Sequence, residues 1–574
     1  MRAIKFQRKE QGLPMQPLRS TARNLTLIAL LSAKCITGIA ADDSVEGLFG
    51  VDPQRPAASG TKDAPKTTNE PESPTSTDDL FGIEAKKPSA QSPENPATSP
   101  TPSITPKESP TNTDELFGID AVKSTAKPAE NPAMPPPAPQ EPQHPQELFG
   151  KEAPAEAPEV AALPAQPSPH AQVEFSGFWQ NELAYTYAGD THFSKWKNVA
   201  RLVAKGTLSE HVKWQVSGHL IYDPIYQLNN FYPERVVDNQ TYDGYFHETF
   251  LDISAGDWEI RLGRQNIVWG EAVGLFFADV VSALDLREFV LPDFELMRIP
   301  QCAIRSEYFK DDFHAEFIWI PVATIDEIGQ FGGEYFPFNV EAPPGFALQF
   351  HDEKKPGSFG EDYAAGTRVS YLKDGWDVAL FYHTTPDHTA AFAREIVLAP
   401  IPTVTFHGIH QRIHQFGGTL AKDVGETVIK AEAVYTKDRL QTVTTPLDPD
   451  GLVESNELRY LIGVDWNIGE HAFNAQFFQT WFQDHQPTMI PDEVESGISL
   501  LFRTTAIHPD IEPEVLWVRS LNRNEWLLEA KVSWKFTPDW RWTVGTDVFE
   551  GPRNSFLGEF DKTDRVYSEV RFSF

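Results

Sequence analysis

Charged side chains stand at alternate positions in several stretches of the C-terminal two thirds of this 574-residue chain, flanked by apolar neighbours. Arg201, Lys205, Glu248, Asp252, Arg261, Lys430 and Glu432 all lie in such stretches, and Arg264 stands where the fifth of them runs into a longer connection. Residues i and i+2 of a strand share a face, so this spacing lines one face with both signs of charge. A wide wall of that kind filters solutes by charge and dipole. A second set, Asp279, Asp285, Arg287 and Arg298, stands in a longer connection carrying Leu275, Phe276, Phe277, Val280 and Val281. Those apolar side chains would not sit bare in water, so the connection is expected to fold inward as a constriction, with the four charged residues as its anchors. Other chemistries find less support. Serines and histidines occur, but nothing pairs a nucleophile with a base, so no catalytic residue is expected. His407, His410 and His414, near His383 and His388, offer metal-ligand atoms. On one strand, however, His407 would oppose the other two, and no metal site is expected. The run Asp448-Pro449-Asp450-Gly451 lacks the ligand spacing of a calcium loop. Once Cys35 leaves with the leader, Cys302 alone remains. Cysteine-rich metal sites are thereby excluded. No cofactor is expected.

The net charge is −33, from 82 acidic against 49 basic side chains. That excess disfavours nucleic acid, whose phosphates need Lys and Arg. It suits a lipopolysaccharide surface bridged by divalent cations. Residues 1–41 combine Arg2, Lys5, Arg8, Lys9, Arg19 and Arg23 with a short apolar run over 25–33 and small residues at Ala40 and Ala41. They read as a signal peptide. Residues 42–171 are rich in Pro, Ala, Ser and Thr and lack Trp and Tyr. Such an arm buries too little apolar surface to offset its ordering entropy and is expected to be disordered. Its aromatic residues stand in four copies of one word: Leu48-Phe49-Gly50, Leu80-Phe81-Gly82, Leu116-Phe117-Gly118 and Leu148-Phe149-Gly150, each beside carboxylates. Leu and Phe would fill a pocket on a periplasmic or inner-membrane partner, and four weak sites on one tether gain from effective concentration. A duplicated spacer is the blander alternative.

From 172 to 574 the pattern changes to period two. Val212, Trp214, Val216, Leu220 and Tyr222 alternate with Lys213, Gln215, Ser217 and His219. Trp526, Leu528, Val532, Trp534 and Phe536 likewise alternate with Glu529, Lys531, Ser533 and Lys535. Connections switch between tight and long. The tight ones carry turn residues, as in Ala255-Gly256-Asp257, Lys373-Asp374-Gly375 and Thr537-Pro538-Asp539. The long ones include 269–301, 321–365, 385–410 and 484–523. Trp214, Trp258, Trp376, Trp466, Trp534, Trp540 and Trp542 all lie on the apolar face within a few residues of a tight turn. One ring of tryptophans at one height is an interfacial girdle. The expectation is an all-β chain: a transmembrane, up-and-down, antiparallel β-barrel of about sixteen strands (range about 14–18) in a bacterial outer membrane. Its N-terminal arm would hang in the periplasm. The final strand ends Phe572-Ser573-Phe574, and the terminal aromatic resembles the signal read by the barrel-assembly machinery.

The connection after the fifth strand carries Gly263-Arg264-Gln265, Trp269-Gly270-Glu271, Asp279-Val280-Val281 and Asp285-Leu286-Arg287-Glu288. Here the chain resembles the outer-membrane family known as domain of unknown function thirteen-oh-two, over the barrel and not the arm. Ser282-Ala283 stands where that family usually has Asn-Pro. The resemblance implies an outer-membrane barrel accompanying lipid-exporting pumps and lends no catalytic residue. The expected function is a channel or transport protein for a solute or amphiphile, its arm docking a partner. A non-transporting surface-binding or scaffold barrel is the first alternative, and a barrel-embedded hydrolase the second.

Overall fold

The structure is a computed structural model; it describes residues 173–574 apart from 271, 273–277, 339, 341–343, 399 and 444–449. The signal and the four Leu-Phe-Gly words therefore lie outside the described residues. Eighteen strands form one closed antiparallel sheet. They are β1 (Val173–Thr186), β2 (His192–Ser209), β3 (Val212–Tyr222), β4 (Tyr242–Ala255), β5 (Trp258–Gln265) and β6 (Gln301–Lys310). Next come β7 (Phe313–Ile320), β8 (Ala364–Lys373), β9 (Trp376–Pro386), β10 (Arg412–Val424), β11 (Thr427–Thr442) and β12 (Leu452–Ile468). The last six are β13 (His471–Phe482), β14 (Val494–Thr504), β15 (Ile511–Ser520), β16 (Trp526–Thr537), β17 (Trp540–Glu550) and β18 (Arg565–Ser573). Each pairs with its neighbours in sequence, and β18 closes onto β1 from Phe178↔Ser573 to Thr186↔Arg565. Closure removes every free edge, which a sheet in hydrocarbon requires.

The barrel is inverted relative to a soluble one. On the outside, Leu380 is 69% exposed, Ile462 54% and Leu202 53%, whereas the inward Glu432, Asp465 and Asp547 are each 2% exposed. Apolar side chains face outward and charged ones inward, the arrangement of a membrane-spanning barrel. Trp258, Trp376, Trp466, Trp534 and Trp542 project outward near the tight turns, as the alternation predicts. Trp196, Tyr222, Tyr242 and Trp481 do so near the other rim. Two aromatic belts thus flank the apolar band.

The strand count exceeds the sequence expectation by two. Both extra strands, β14 and β15, lie inside the stretch 484–523 read from sequence as one long connection. Leu500-Leu501-Phe502 breaks the alternation there, and Pro513 argues against a strand. Pro513 is tolerated because it sits one residue beyond the last β14–β15 pair, Arg503↔Glu514, where no ladder bond is needed. The parity is unchanged, so both strand termini remain at the tight-turn rim. At the opposite rim, the connection after β9 builds a hairpin of Ala391–Val397 and Thr403–Ile409. Ala347–Phe350 adds to it in parallel. Phe336, Phe338, Phe350, Phe392 and Phe406 form the hydrophobic centre of this cap.

Candidate functional site

The connection 266–300, here called the tongue, leaves the wall after Gln265, the last residue of β5 paired to β6, and its described residues reach across the lumen. Gly263 has φ of +128°, and a Cβ there would lie 2.3 Å from the Thr249 carbonyl oxygen. Only glycine allows this close approach. Gln265 follows, fully buried; its side-chain amide donates to the carbonyls of Gly263 and Ala303, each at 3.2 Å. Trp269 packs against the inner wall, tilted to Phe381 with ring centres 5.3 Å apart and edge-on to His383 at 5.9 Å. Gly366 leaves the space it occupies. Gly270 brings the tongue back on itself: a Cβ there would be 2.7 Å from the Asp279 amide nitrogen. The hydroxyl of Ser282 donates to the Ile267 carbonyl at 2.8 Å, which ties this fold where Asn-Pro is usual in the resembling family. The four short motifs of the connection are therefore its folding instructions.

Apolar contacts hold the tongue at three places around the lumen. Ile267, Trp269, Val280 and Val281 are buried with Ile318, Phe381 and Val434 on the β7–β11 wall. Leu296 packs on Phe178, Val199 and Ile221 of β1–β3. Phe289 is buried with Leu527 and Phe549 of β16 and β17, under Tyr335 and Phe560 from two other long connections. Phe289 adopts φ of +57°, a strained conformation for a side chain of this size. Its buried ring holds it there.

Charge completes the latch. The Glu432 carboxylate on β11 accepts from the main-chain N–H of Ala272 at 2.8 Å and of Ala278 at 3.0 Å. Arg298 donates to Asp279 at 3.0 Å. Arg287 grips Asp285 at 2.7 Å and 2.9 Å, and Asp243 of β4 at 2.7 Å. Glu288 is clamped between Lys195 and Lys197 of β2. Burial pushes its carboxyl up, but those two ammonium groups outweigh it and hold it well below the usual range. Glu295 meets Arg201 at 2.7 Å and Arg571 at 3.2 Å. The neighbouring connection joins in: Glu327–Ile328 pairs in parallel with Asp285 and Leu286. There the Asp326 carboxylate accepts from the Leu284 N–H at 2.9 Å and the Thr389 hydroxyl at 3.2 Å.

Other residues singled out in the sequence lie along the inner wall. Asp252 and Arg261 form a two-pronged pair at 2.6 Å and 3.0 Å. Lys430 meets Asp465 at 2.9 Å. Glu248 accepts from Gln215 at 3.1 Å and from the Asn266 N–H at 3.2 Å, where the tongue begins. Arg264 stands 5.7 Å from the Tyr245 ring centre. Lys205 lies away from the tongue and pairs loosely with Glu174 at 3.5 Å. The histidines do not converge: His414 bonds the Tyr382 hydroxyl at 2.9 Å and His410 the Asp387 carbonyl at 2.7 Å, while His407 sits in the cap sheet. Among the described residues, Glu307, His314 and Glu316 bring ligand atoms together. Arg305 already neutralises both carboxylates there, at 2.9 Å each. The sequence marks Glu288 only as the end of the Asp285-Leu286-Arg287-Glu288 motif and does not mark Asp293 or Glu295, because charges scattered in the apolar run Phe289-Val290-Leu291-Pro292-Asp293-Phe294-Glu295 have no period.

Fold and site together define a membrane-spanning β-barrel whose long fifth connection folds inward across the lumen. The chain belongs to the family described as Protein of unknown function (DUF1302), whose model matches residues 161–549. No curated protein matches it. Among solved structures it is similar to OccAB1 of Acinetobacter baumannii, with 10% identity and a TM-score of 0.46 over 70% of this chain and 96% of that one. OccAB3 of the same organism shows 10% identity and a TM-score of 0.43 over 70% and 99%. OpdK of Pseudomonas aeruginosa, solved with vanillate, shows 10% and 0.41 over 70% and 98%.

Proposed function

We propose that this protein is an outer-membrane channel that passes a solute or amphiphile, with the tongue as its constriction and gate. The observation that carries the reading is the combination of an apolar exterior with a charged inner wall latched to a segment that touches it at three azimuths. A barrel serving only as scaffold gains nothing from keeping ion pairs such as Arg201–Glu295 beside water. On this reading Arg201, Glu248, Asp252, Arg261, Arg264, Lys430 and Glu432 line the path. Asp279, Asp285, Arg287 and Arg298 shape its narrowest part, and Lys205 stands at the tight-turn mouth. Both strand termini sit at that rim, so the arm hangs in the periplasm, where Leu48, Phe49, Leu80, Phe81, Leu116, Phe117, Leu148 and Phe149 dock a partner. Phe574 addresses the chain to the barrel-assembly machinery, and the acidic long connections meet lipopolysaccharide through divalent cations.

Planar-bilayer recording on the folded full-length protein tests this. Small, intermittent conductance that grows when the tongue is released supports it. Silence of both wild type and a released-tongue variant would favour a scaffold, and turnover in a lipid-hydrolysis assay would favour an enzyme.

A further inference from the structure

Glu295 differs from the other tongue anchors. Its side chain is 52% exposed, although its partners Arg201 and Arg571 are only 8% and 16% exposed. Water in the lumen therefore reaches the carboxylate that caps these two guanidinium groups. Those groups are held in place without it. Both sit over the Phe178 ring, with Arg571 3.8 Å and Arg201 5.3 Å from its centre, and Phe178 itself is 5% exposed. Arg201 also donates to the Glu295 main-chain carbonyl at 3.2 Å, so the tongue's backbone keeps a tie to the wall when the carboxylate swings away. Arg201 also reaches His247 Nε2 at 3.4 Å, a wall contact that does not involve Glu295. Paired guanidinium forks on an aromatic platform are suited to planar or tetrahedral oxyanions. Asp293 repeats the arrangement more loosely, 3.6 Å from Lys531 and 3.7 Å from Arg541.

We infer that Arg201 and Arg571 form an oxyanion-binding site for carboxylate or phosphate groups, and that Glu295 is its built-in occupant, displaced by an anionic group of the molecule in transit. The inference rests on the channel reading and names the class of cargo: molecules bearing an anionic group. Exchange of one carboxylate for another anion conserves the charge balance at the wall, so displacement does not leave two arginines uncompensated. The bland alternative is a fixed structural ion pair, which would not exchange.

A tethered carboxylate competes at an effective concentration in the millimolar range or above. Removing its charge should then tighten binding of a free anion about tenfold or more. The test is calorimetric titration of the folded full-length protein in detergent with citrate and, separately, pyrophosphate. Wild type is compared with E295Q, E295Q/R571Q and E295Q/R571K, each first checked for the heat-modifiable gel mobility of a folded barrel. The expected result is at least a tenfold gain in E295Q for one or both probes, lost with R571Q and partly kept with R571K. A gain for citrate alone assigns carboxylates, and for pyrophosphate alone phosphates. Equal binding by E295Q and wild type, or a gain that survives R571Q, overturns the site. Conductance is recorded on the same preparations. A barrel that binds but never conducts overturns the channel reading instead.

Discussion

Replacing Glu432 with Ala should release the first leg of the tongue without unfolding the barrel. The carboxylate is 2% exposed and accepts two main-chain N–H groups, from Ala272 and Ala278. Truncation leaves both donors without this acceptor in a buried site, at about 1–3 kcal/mol each. The sum, about 2–6 kcal/mol, corresponds to a factor of about 30 to 3 × 10⁴ in the tongue's opening equilibrium. The barrel itself should hold, because β11 keeps its ladders to β10 and β12 through backbone groups the substitution does not touch. Hydrogen exchange is the direct assay. Protection at Ala278, Val280 and Val281 should fall by at least the lower figure, while amides in β10–β12 stay as in wild type. Glu432→Gln keeps one acceptor oxygen and should lose about half as much. Single-channel conductance should rise in the same order. Unchanged protection at those three amides in Glu432→Ala would refute the idea that this carboxylate anchors the tongue.

Gly263→Ala forces a Cβ to 2.3 Å from the Thr249 oxygen, at a φ of +128°, and should cut the yield of heat-modifiable folded barrel severalfold. Gly256→Ala, where φ is +64° but nothing lies within 4 Å, should cost only about 1–2 kcal/mol in thermal stability. Burial raises the Asp326 carboxyl from an ordinary 3.8 to about 7. The folded state therefore holds its proton more tightly than the unfolded state, so the packing of 321–363 on the tongue should weaken as pH climbs from about 4 to 7 and level off above. Limited proteolysis of that connection at pH 5 and pH 8 should show the difference, and Asp326→Asn should reduce it, the remainder coming from Glu353 of the same connection, whose carboxyl burial also raises to about 7. Changing Phe49, Phe81, Phe117 and Phe149 together to Ala should eliminate recovery of a periplasmic or inner-membrane partner in a pull-down from envelope extracts. Unchanged recovery would leave the arm a spacer.

Most of the architecture was legible in the sequence because a membrane barrel obeys local rules. The pleat sends alternate side chains to lipid and to water, so Val212 to Tyr222 and Trp526 to Phe536 declare their faces without any long-range information. Tryptophans near turns give the membrane boundary, and an even count of strands follows from the alternation of tight and long connections. Two strands were missed where local signals weaken, at Leu500-Leu501-Phe502 and at Pro513, a proline acceptable only because of where the β14 ladder happens to end. The inward packing of the tongue's Val280 and Val281 could also be anticipated from their apolarity, whereas Leu275, Phe276 and Phe277 lie outside the described residues. The tongue's partners could not be anticipated. Whether Glu288 meets Lys195, or Glu295 meets Arg571 nearly three hundred residues away, depends on barrel closure and on which azimuth each strand occupies. Two-residue periodicity carries no information about that. Sequence alone decided that charge lines the inside of a cylinder. Only the closed tertiary structure decided which charges face one another across it, because pairing across a lumen is fixed by strand order and stagger around the whole circumference.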